Sequence, residues 1–391
     1  MSGMARGSPV PHTYRVSRDL TAERVRRDVE VIARAGLATE DFLAEAVASL
    51  ARAVPHVGAC VAHLDPSTRL NTGAHKFGDL LGRDEHDAQW GQLEFSTHNP
   101  VSMRELASRQ VPAVAIQEWN RTEDEPTSRL ADFMRPNFGY GDELRTVFRD
   151  GDQAWGGMSL FRAESDRRFD DADVALMSSL SSSFAVGMRT GLLASLMSAA
   201  PVPPTGPAVL IVGQDDSIIQ MSAGSEERLA ELTTSTELPT GVVAALVGAA
   251  RRYAAGTADH PPRGRMRGRN GMWLILHATT LSARDGAVGD VVVTIDEARP
   301  PEIVPLVVAA FDLTPRERDV TLLVLQGVET REIAGRLHVS TYTVQDHLKS
   351  VFDKAGVRSR RELIARVYFD QYVPRLGSDV GPSGWFAAVE S

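Results

Sequence analysis

The chain has 391 residues, of which 43% are hydrophobic, and its formal net charge is −9 at pH 7. This length predicts two or three packed domains, and the negative charge excludes a protein whose whole surface binds nucleic acid nonspecifically. The single cysteine, Cys60, excludes an intrachain disulfide framework and fits a reducing compartment. No apolar run reaches membrane-spanning length, so we expect a cytoplasmic protein that does not contact a membrane.

The N-terminal half of the chain predicts an α+β domain that ends in a long helix. Residues 1–17 contain few apolar residues, and we expect a disordered arm. Residues 21–54 predict two helices that are separated at Gly36. Strands are expected at 58–64, 70–73, 111–118, 143–149 and 154–161. From Asp170 toward Met197 apolar residues recur every four positions, which is typical of a helix that pairs with another helix.

Two runs near the end of this half carry a family resemblance. WGGMSLFR, from Trp155 to Arg162, is followed by FDDAD at the start of the long helix. Together they resemble the closing half of a GAF domain. The resemblance implies an antiparallel sheet that holds a ligand beneath covering loops, and it assigns no binding residue.

Aromatic residues crowd this first domain and could line an apolar pocket for an unidentified small-molecule ligand. The candidates are Trp90, Trp119, Phe138, Tyr140 and Trp155. Core filling explains these side chains equally well.

Motifs for metal binding or catalysis do not occur. The histidines lack metal-ligand spacing, and there is no nucleophile elbow, P-loop or glycine-rich dinucleotide turn. We therefore expect no metal, no cofactor and no enzymatic activity.

A proline-rich linker, 199–207, precedes a second α+β domain. Strands are expected at 208–212, 218–221, 263–269, 273–280 and 288–296, with helices at 226–232 and 241–255. This order, together with the opening PAVLIVGQDDSIIQMSAGSEERL, resembles a PAS domain. Ser222 or Ala223 stands where that family usually has asparagine, so no ligand chemistry is carried over.

The acids Asp215 and Asp216, which follow a strand, also raise the alternative of a phosphorylated receiver domain. A receiver needs a lysine beyond a later strand, and no lysine occurs between Lys76 and Lys349. This alternative is therefore rejected.

Four arginines alternate along the expected strand 263–269, at Arg263, Arg265, Arg267 and Arg269. Alternation places them on one face. We favour a solvated sheet edge, which prevents strand addition, over a hook for the minor groove of DNA.

The stretch from Leu313 to Val367 predicts four short helices with clear ends. Thr314 and Glu317 form a capping box around Pro315, Gly327 ends the first helix, and Ser340 caps the third. Ser359 and Glu362 predict a second capping box, at the fourth helix.

The third of these helices is amphipathic. Its apolar residues recur at helical spacing, at Val344, Leu348, Val351, Phe352 and Ala355. The opposite face is polar and includes Gln345 and Asp346. Two short helices joined by a tight turn, the second with a polar outer face, predict a helix-turn-helix whose second helix enters the major groove.

This stretch resembles the LuxR-type, or NarL-type, DNA-binding domain. The motifs are LT-x-x-E, G-x-x-x-R-E-I-A, V-S-x-x-T-V-x-x-H-L and K-x-G-V-x-x-R-x-E-L-I. The resemblance implies dimers on DNA. It implies base contacts by Gln345, Asp346 and Lys349, and phosphate contacts by Thr343, Lys354 and Arg358. The family usually has Lys or Arg at position 345 and a Ser or Thr cap where Glu329 stands; both glutamine and aspartate can still read bases.

The sequence therefore predicts a multidomain chain: an α+β GAF-like domain, an α+β PAS-like domain and an all-α four-helix C-terminal domain. The expected segments are an arm at 1–17, domains at 18–198, 208–298 and 313–371, linkers at 199–207 and 299–312, and a tail at 372–391. The expected function is a one-component regulator that binds double-stranded DNA as a homodimer under the control of a small molecule or a partner. The alternative is a signalling adaptor that binds partners through its sensory domains and has little or no DNA affinity.

Overall fold

The computed structural model describes residues 12–95, 99–195, 207–232, 240–269, 271–282 and 288–368. The chain forms two compact units. The first contains residues up to 61, with 76–83 and 100–188, and the second contains 62–75, 84–99 and the residues from 189 onward. Two segments of the expected first domain, 62–75 and 84–99, therefore belong to the second compact unit.

The N-terminal part alternates helices with short strands. Its helices are α1 (His12–Ala33), α2 (Thr39–Leu50), α3 (Asp87–Phe95), α4 (Met103–Leu106), α5 (Ile116–Thr122), α6 (Arg135–Phe138) and α7 (Asp171–Ser195), with a π-helical run at Arg129–Met134. Its strands are β1 (Gly58–Leu64), β2 (Asn71–Gly78), β3 (Ala113–Ala115), β4 (Tyr140–Asp150) and β5 (Gln153–Ala163). The five strands form one sheet in the order β2-β1-β5-β4-β3.

Aromatic packing fixes one face of this sheet. Phe148 of β4 stacks on Phe184 of α7 at 4.6 Å between ring centroids, and Phe42 of α2 meets Phe184 edge-on at 5.8 Å. All three rings are buried, so the long helix α7 is attached to the sheet through its own apolar face.

Two predictions for this region were wrong in part. Only 113–115 of the expected strand 111–118 is extended, and α5 begins at Ile116. Ile116 and Trp119 are both buried and lie three positions apart, which is the spacing of a helix face. In addition, α1 begins at His12, so the last residues of the expected disordered arm are helical. Residues 1–11 lie outside the described residues.

The second sheet has the same relative strand order as the first. Its strands are β6 (Ala208–Val212), β7 (Ile218–Met221), β8 (Arg263–Arg267), β9 (Trp273–Ser282) and β10 (Val288–Glu297), in the order β7-β6-β10-β9-β8. The helices α8 (Ser225–Glu231) and α9 (Thr240–Ala254) lie between β7 and β8 in the chain. Leu246 and Val247 of α9 pack in one core with Leu274, Leu276 and Val293 of the sheet. The predicted elements of this region are confirmed to within a few residues.

Three of the four alternating arginines lie on the edge strand β8, and their expected solvation was wrong for Arg265 only; Arg269, which follows the strand, is exposed. Arg265 is only 8% exposed, and two of its guanidinium nitrogens lie 2.6 and 2.7 Å from the carboxylate of Asp65. Arg263 pairs with Glu302. Because these carboxylates come from distant parts of the sequence, the strand alone did not reveal them. Because Arg265 is held by Asp65, it is not available for a minor-groove contact.

The C-terminal part is helical. Residues 299–312, expected as a linker, contain helix α10 (Pro300–Ala310), whose buried side chains include Ile303 and Val307. Four helices follow as predicted: α11 (Pro315–Leu325), α12 (Thr330–Leu337), α13 (Thr341–Ala355) and α14 (Arg360–Tyr368). Among the described helices, none is both long and apolar enough to span a membrane.

Candidate nucleic-acid interface

The start of α11 is fixed by the predicted capping box, which is confirmed. The Thr314 hydroxyl accepts a hydrogen bond from the Glu317 backbone N–H at 3.3 Å, and the Glu317 carboxylate accepts one from the Thr314 N–H at 2.8 Å. Two of the N–H groups that a helix start leaves without a helical partner are satisfied in this way.

Glu317 also connects α11 to α13. Its carboxylate accepts a hydrogen bond from the Ser350 hydroxyl at 2.6 Å and one from the Lys354 ammonium at 2.7 Å. Burial by itself would raise the pKa of Glu317, but hydrogen bonds from Lys354, Ser350 and Thr314 outweigh burial and lower that pKa to about 2. Glu317 is therefore a charged, buried anchor that sets how α13 lies against α11.

Helix α13 presents one polar face to solvent. Val344, Leu348, Val351 and Ala355 are buried beneath it, which confirms the predicted apolar stripe except for Phe352, which is half-buried. Gln345, Asp346 and Lys349 are exposed. These three residues occupy positions i, i+1 and i+4 and so lie on adjoining parts of one helix face.

The tight turn before α13 orients its first turn. His338 ends α12 in the left-handed conformation, with φ 55°. The Ser340 hydroxyl then accepts a hydrogen bond from the Thr343 N–H at 3.0 Å, as expected for a helix cap. Tyr342 is 71% exposed on this first turn, so an aromatic side chain stands beside the polar face.

The residues with implied phosphate contacts fall at two places. Thr343 lies at the start of α13, where its hydroxyl is 2.9 Å from that of Ser340. Lys354 is near the end of the helix, about 16 Å farther along it at 1.5 Å per residue. Arg358, which is exposed, follows the helix end. The ammonium of Lys354 is already bound to Glu317, so a phosphate there would have to share it.

At the starts of α12 and α14, the capping hydrogen bonds differ from those that the sequence predicts. Glu329 occupies the cap position of α12, yet its side chain makes no capping hydrogen bond. At α14 the Ser359 hydroxyl accepts from the Glu362 N–H at 3.2 Å, but the Glu362 carboxylate accepts from Arg358 rather than from Ser359. The second capping box is therefore only half formed.

Sequence reasoning missed Arg360 as a structural residue. Its guanidinium donates to the backbone carbonyls of Val328 at 2.6 Å and Val324 at 3.3 Å, at the end of α11. The sequence did contain a signal for this contact. The last carbonyls of a helix need hydrogen-bond donors, and one arginine can supply several. The contact holds α14 against α11.

The five aromatic candidates of the N-terminal part do not form one pocket. Phe138 and Tyr140 stack at 5.8 Å between centroids, and Tyr140 stacks on Phe161 at 4.5 Å. Burial raises the pKa of Tyr140 to about 12. Trp155 is buried as well, and Trp90 belongs to the second compact unit. Trp119 lines a cavity of about 420 Å³ beside β3 and the start of α7, and the other four candidates are not part of its lining.

Comparisons with known proteins concern the C-terminal helices. The family described as bacterial regulatory proteins, luxR family, matches residues 312–367. The spore germination protein GerE of Bacillus subtilis is 38% identical over 55 residues, which is 14% of this chain and 74% of that protein. A Mycobacterium bovis protein, named as an HTH-type transcriptional regulator, is 52% identical over 52 residues, which is 13% of this chain.

The family match does not extend to the residues before 312, and the two relatives match 14% or less of this chain. The chain spans only 6% of the length of the Mycobacterium bovis protein. A solved structure of Escherichia coli SdiA covers 90% of this chain and 96% of its own, at 12% identity and a TM-score of 0.30. A likeness at that level carries no conclusion about the N-terminal part of this molecule.

Proposed function

We propose that this chain, which belongs to the luxR family of bacterial regulatory proteins through residues 312–367, is a transcription regulator that binds specific double-stranded DNA sequences as a homodimer. The observation that carries the proposal is the polar face of α13. Gln345, Asp346 and Lys349 are exposed on this face, and the opposite face of the helix is buried. A helix of this kind enters the major groove and places its first turns against base edges.

The side chains on that face can distinguish bases. Gln345 can bond adenine through both the NH2 donor and the carbonyl acceptor of its amide, and Asp346 can accept a hydrogen bond from cytosine. Lys349 supplies positive charge toward guanine or the phosphates. One negative side chain beside one positive side chain gives little nonspecific attraction, so we expect affinity to depend on two half-sites bound together.

The N-terminal part is proposed to sense a small molecule or a partner protein. Two five-stranded sheets share one strand order, and the second has two helices between its second and third strands. This agrees with what the GAF-like and PAS-like resemblances imply. The protein is proposed to act in the cytoplasm and without catalytic activity.

Helix α7 is proposed to connect the sensory part to the DNA-binding helices. Arg189, on this helix and nearly buried, pairs with Asp312 at 3.0 Å. Asp312 has φ 59° and directly precedes the residues that begin α11. A shift of α7 would therefore move the residues at the start of α11. A ligand can favour one of two arrangements of the protein only by the difference between its affinities for them.

The experiment is selection from random double-stranded DNA by the full-length protein at two salt concentrations. We expect an enriched motif with two half-sites whose centres are about one helical turn apart. Enrichment of a single half-site would contradict the dimer. The second candidate, an adaptor without DNA affinity, is favoured by the acidic Asp346 in the reading face. It predicts no enrichment at either salt concentration.

A further inference from the structure

One cavity of about 420 Å³ lies within the first compact unit, beside the edge strand β3 and the first turn of α7. Its volume falls within the range of small-molecule sites. Its apolar lining is formed by Leu106, Val111, Val114 and Val174 together with Trp119. Val111 is 53% exposed, so apolar surface is available to a ligand at the cavity mouth.

The indole of Trp119 already has a cation on its face. The guanidinium carbon of Arg109 lies 4.2 Å from the centroid of the Trp119 ring. The indole N–H donates to the Glu125 carbonyl at 2.8 Å, which fixes the ring. The face that Arg109 covers is therefore already engaged by a cation of the protein, and the fixed ring contributes apolar surface to the cavity wall.

Two of the four carboxylates that line the cavity form ion pairs with arginines of the protein. Glu118 pairs with Arg121, and Asp170 pairs with Arg18 and Arg167. Burial alone would raise the pKa of Asp170, but hydrogen bonding to Arg18 outweighs it and holds that pKa well below its usual range.

The other two carboxylates, Glu123 and Asp171, are both exposed. Within the described part of the chain, neither has an ion-pair partner within 4 Å. Arg109 is the only cationic residue among those that line the cavity. Asp171 interacts with Arg121 only at longer range. The lining therefore has two carboxylates without a close ion-pair partner next to an apolar wall, and four carboxylates against the one cation Arg109, which favours cations over anions.

We propose that this cavity binds a small organic cation, a primary amine carried on a compact apolar body. The ammonium lies toward Glu123 and Asp171, and the apolar body lies against Val111, Val114 and Val174. A carboxylate or phosphate ligand is disfavoured by the same two acids, and a neutral ligand gains at most a hydrogen bond from them and no ion pair.

The site would also connect a ligand to the regulation proposed above, and this consequence rests on the proposed function. Asp171 and Val174 belong to the first turn of α7, and the same helix carries Arg189, which pairs with Asp312. A ligand that engages Asp171 would bias the position of α7. Binding of the amine itself does not depend on DNA binding and is measured separately.

The test uses the full-length protein and isothermal titration with benzylamine, phenethylamine and tryptamine. Benzyl alcohol and phenylacetate serve as neutral and anionic probes of similar size. We expect saturable binding of at least one amine and binding of the alcohol and the acid at least ten-fold weaker. The double variant Glu123→Gln/Asp171→Asn should weaken the amine at least ten-fold, and Val114→Trp, which fills the cavity, should abolish its binding.

The matched control is Asp152→Asn, an exposed carboxylate in the turn between β4 and β5, which should bind the amine like the wild type. Thermal melting of each variant shows whether it is folded. The proposal is overturned if no amine binds saturably, if the alcohol binds as well as the amines, or if the folded double variant binds unchanged. DNA selection without any amine decides the proposed function independently, so the two failures are distinguishable.

Discussion

Replacing Glu317 with glutamine should loosen the helix-turn-helix without unfolding the rest of the chain. The carboxylate binds Thr314, Ser350 and Lys354, and its pKa of about 2 lies well below the ordinary value of 4.5. A difference of this size corresponds to at most about 3 kcal/mol of stability. Glutamine can still accept from Thr314, but it cannot provide a charge for Lys354. We expect a loss of about 2 kcal/mol at neutral pH.

The pH dependence follows from the direction of this shift. A carboxyl whose pKa is lowered by folding stabilises the native state above its unfolded pKa, and this stabilisation disappears as pH falls through the folded value. The contribution of Glu317 is therefore complete above pH 4.5 and is lost between about pH 4.5 and 2. The difference between the wild type and Glu317→Gln should shrink over the same interval.

Hydrogen exchange measured by mass spectrometry on the full-length protein would test this, because it resolves local opening. Protection should fall roughly 30-fold in α11 and α13 at neutral pH, and little elsewhere. Glu362→Gln is the matched control, since Glu362 is exposed and accepts from one backbone N–H only; it should cost about 0.5 kcal/mol. Equal loss of protection along the whole chain, or a difference that does not change with pH, would refute the reasoning.

Two further predictions concern charged side chains. Lys349→Ala should weaken binding to the selected DNA and reduce the slope of log affinity against log salt by about 1. Fluorescence anisotropy over a salt series measures both. Unchanged affinity and slope would contradict the docking of the α13 polar face against DNA. Arg265→Ala leaves the buried carboxylate of Asp65 without its guanidinium and should cost roughly 3–5 kcal/mol. Urea unfolding monitored in the second compact unit measures this cost. The exposed pair of Arg336 and Glu332 provides the control, because Arg336→Ala should cost less than about 1 kcal/mol.

The C-terminal domain could be predicted closely from the sequence because its signals are local. A cap residue, an acid three positions later and a glycine at the helix end mark α11 within a few residues of chain. The apolar stripe of α13 needs only the helical repeat. For the same reason the exposed positions Gln345, Asp346 and Lys349 follow directly once the buried side of the helix is known.

Features that depend on distant residues could not be predicted. Asp65 and Arg265 are separated by 200 positions, and nothing in either segment shows that they meet. Helix α10 contains Pro305 and begins with Pro300 and Pro301, which read as a linker, yet its apolar residues are buried. The short run before Trp119 fits a strand and a helix equally in sequence, because periodicity does not separate short apolar runs.

The candidate sites divide in the same way. The polar face of α13 lies on one continuous helix, so the sequence placed its members together. The cavity beside β3 draws on two segments that are far apart in the sequence, 106–123 and 170–174, and the aromatic residues suggested by the sequence mostly fill the core instead. Of these, Trp119 alone borders the cavity, and the carboxylates Glu123 and Asp171 gave no sequence signal.

The central claim, that the polar face of α13 reads bases, is tested most directly by comparing the motifs selected by the wild type and by Gln345→Ala. Alanine removes both the amide donor and the amide acceptor, so preference at one base pair of each half-site should fall by about 1–3 kcal/mol while the spacing of the half-sites is kept. Asp353→Asn, on the exposed C-terminal half of the same helix, should select the wild-type motif. If Gln345→Ala selected that motif with undiminished preference at every position, base reading by Gln345 in α13 would be contradicted.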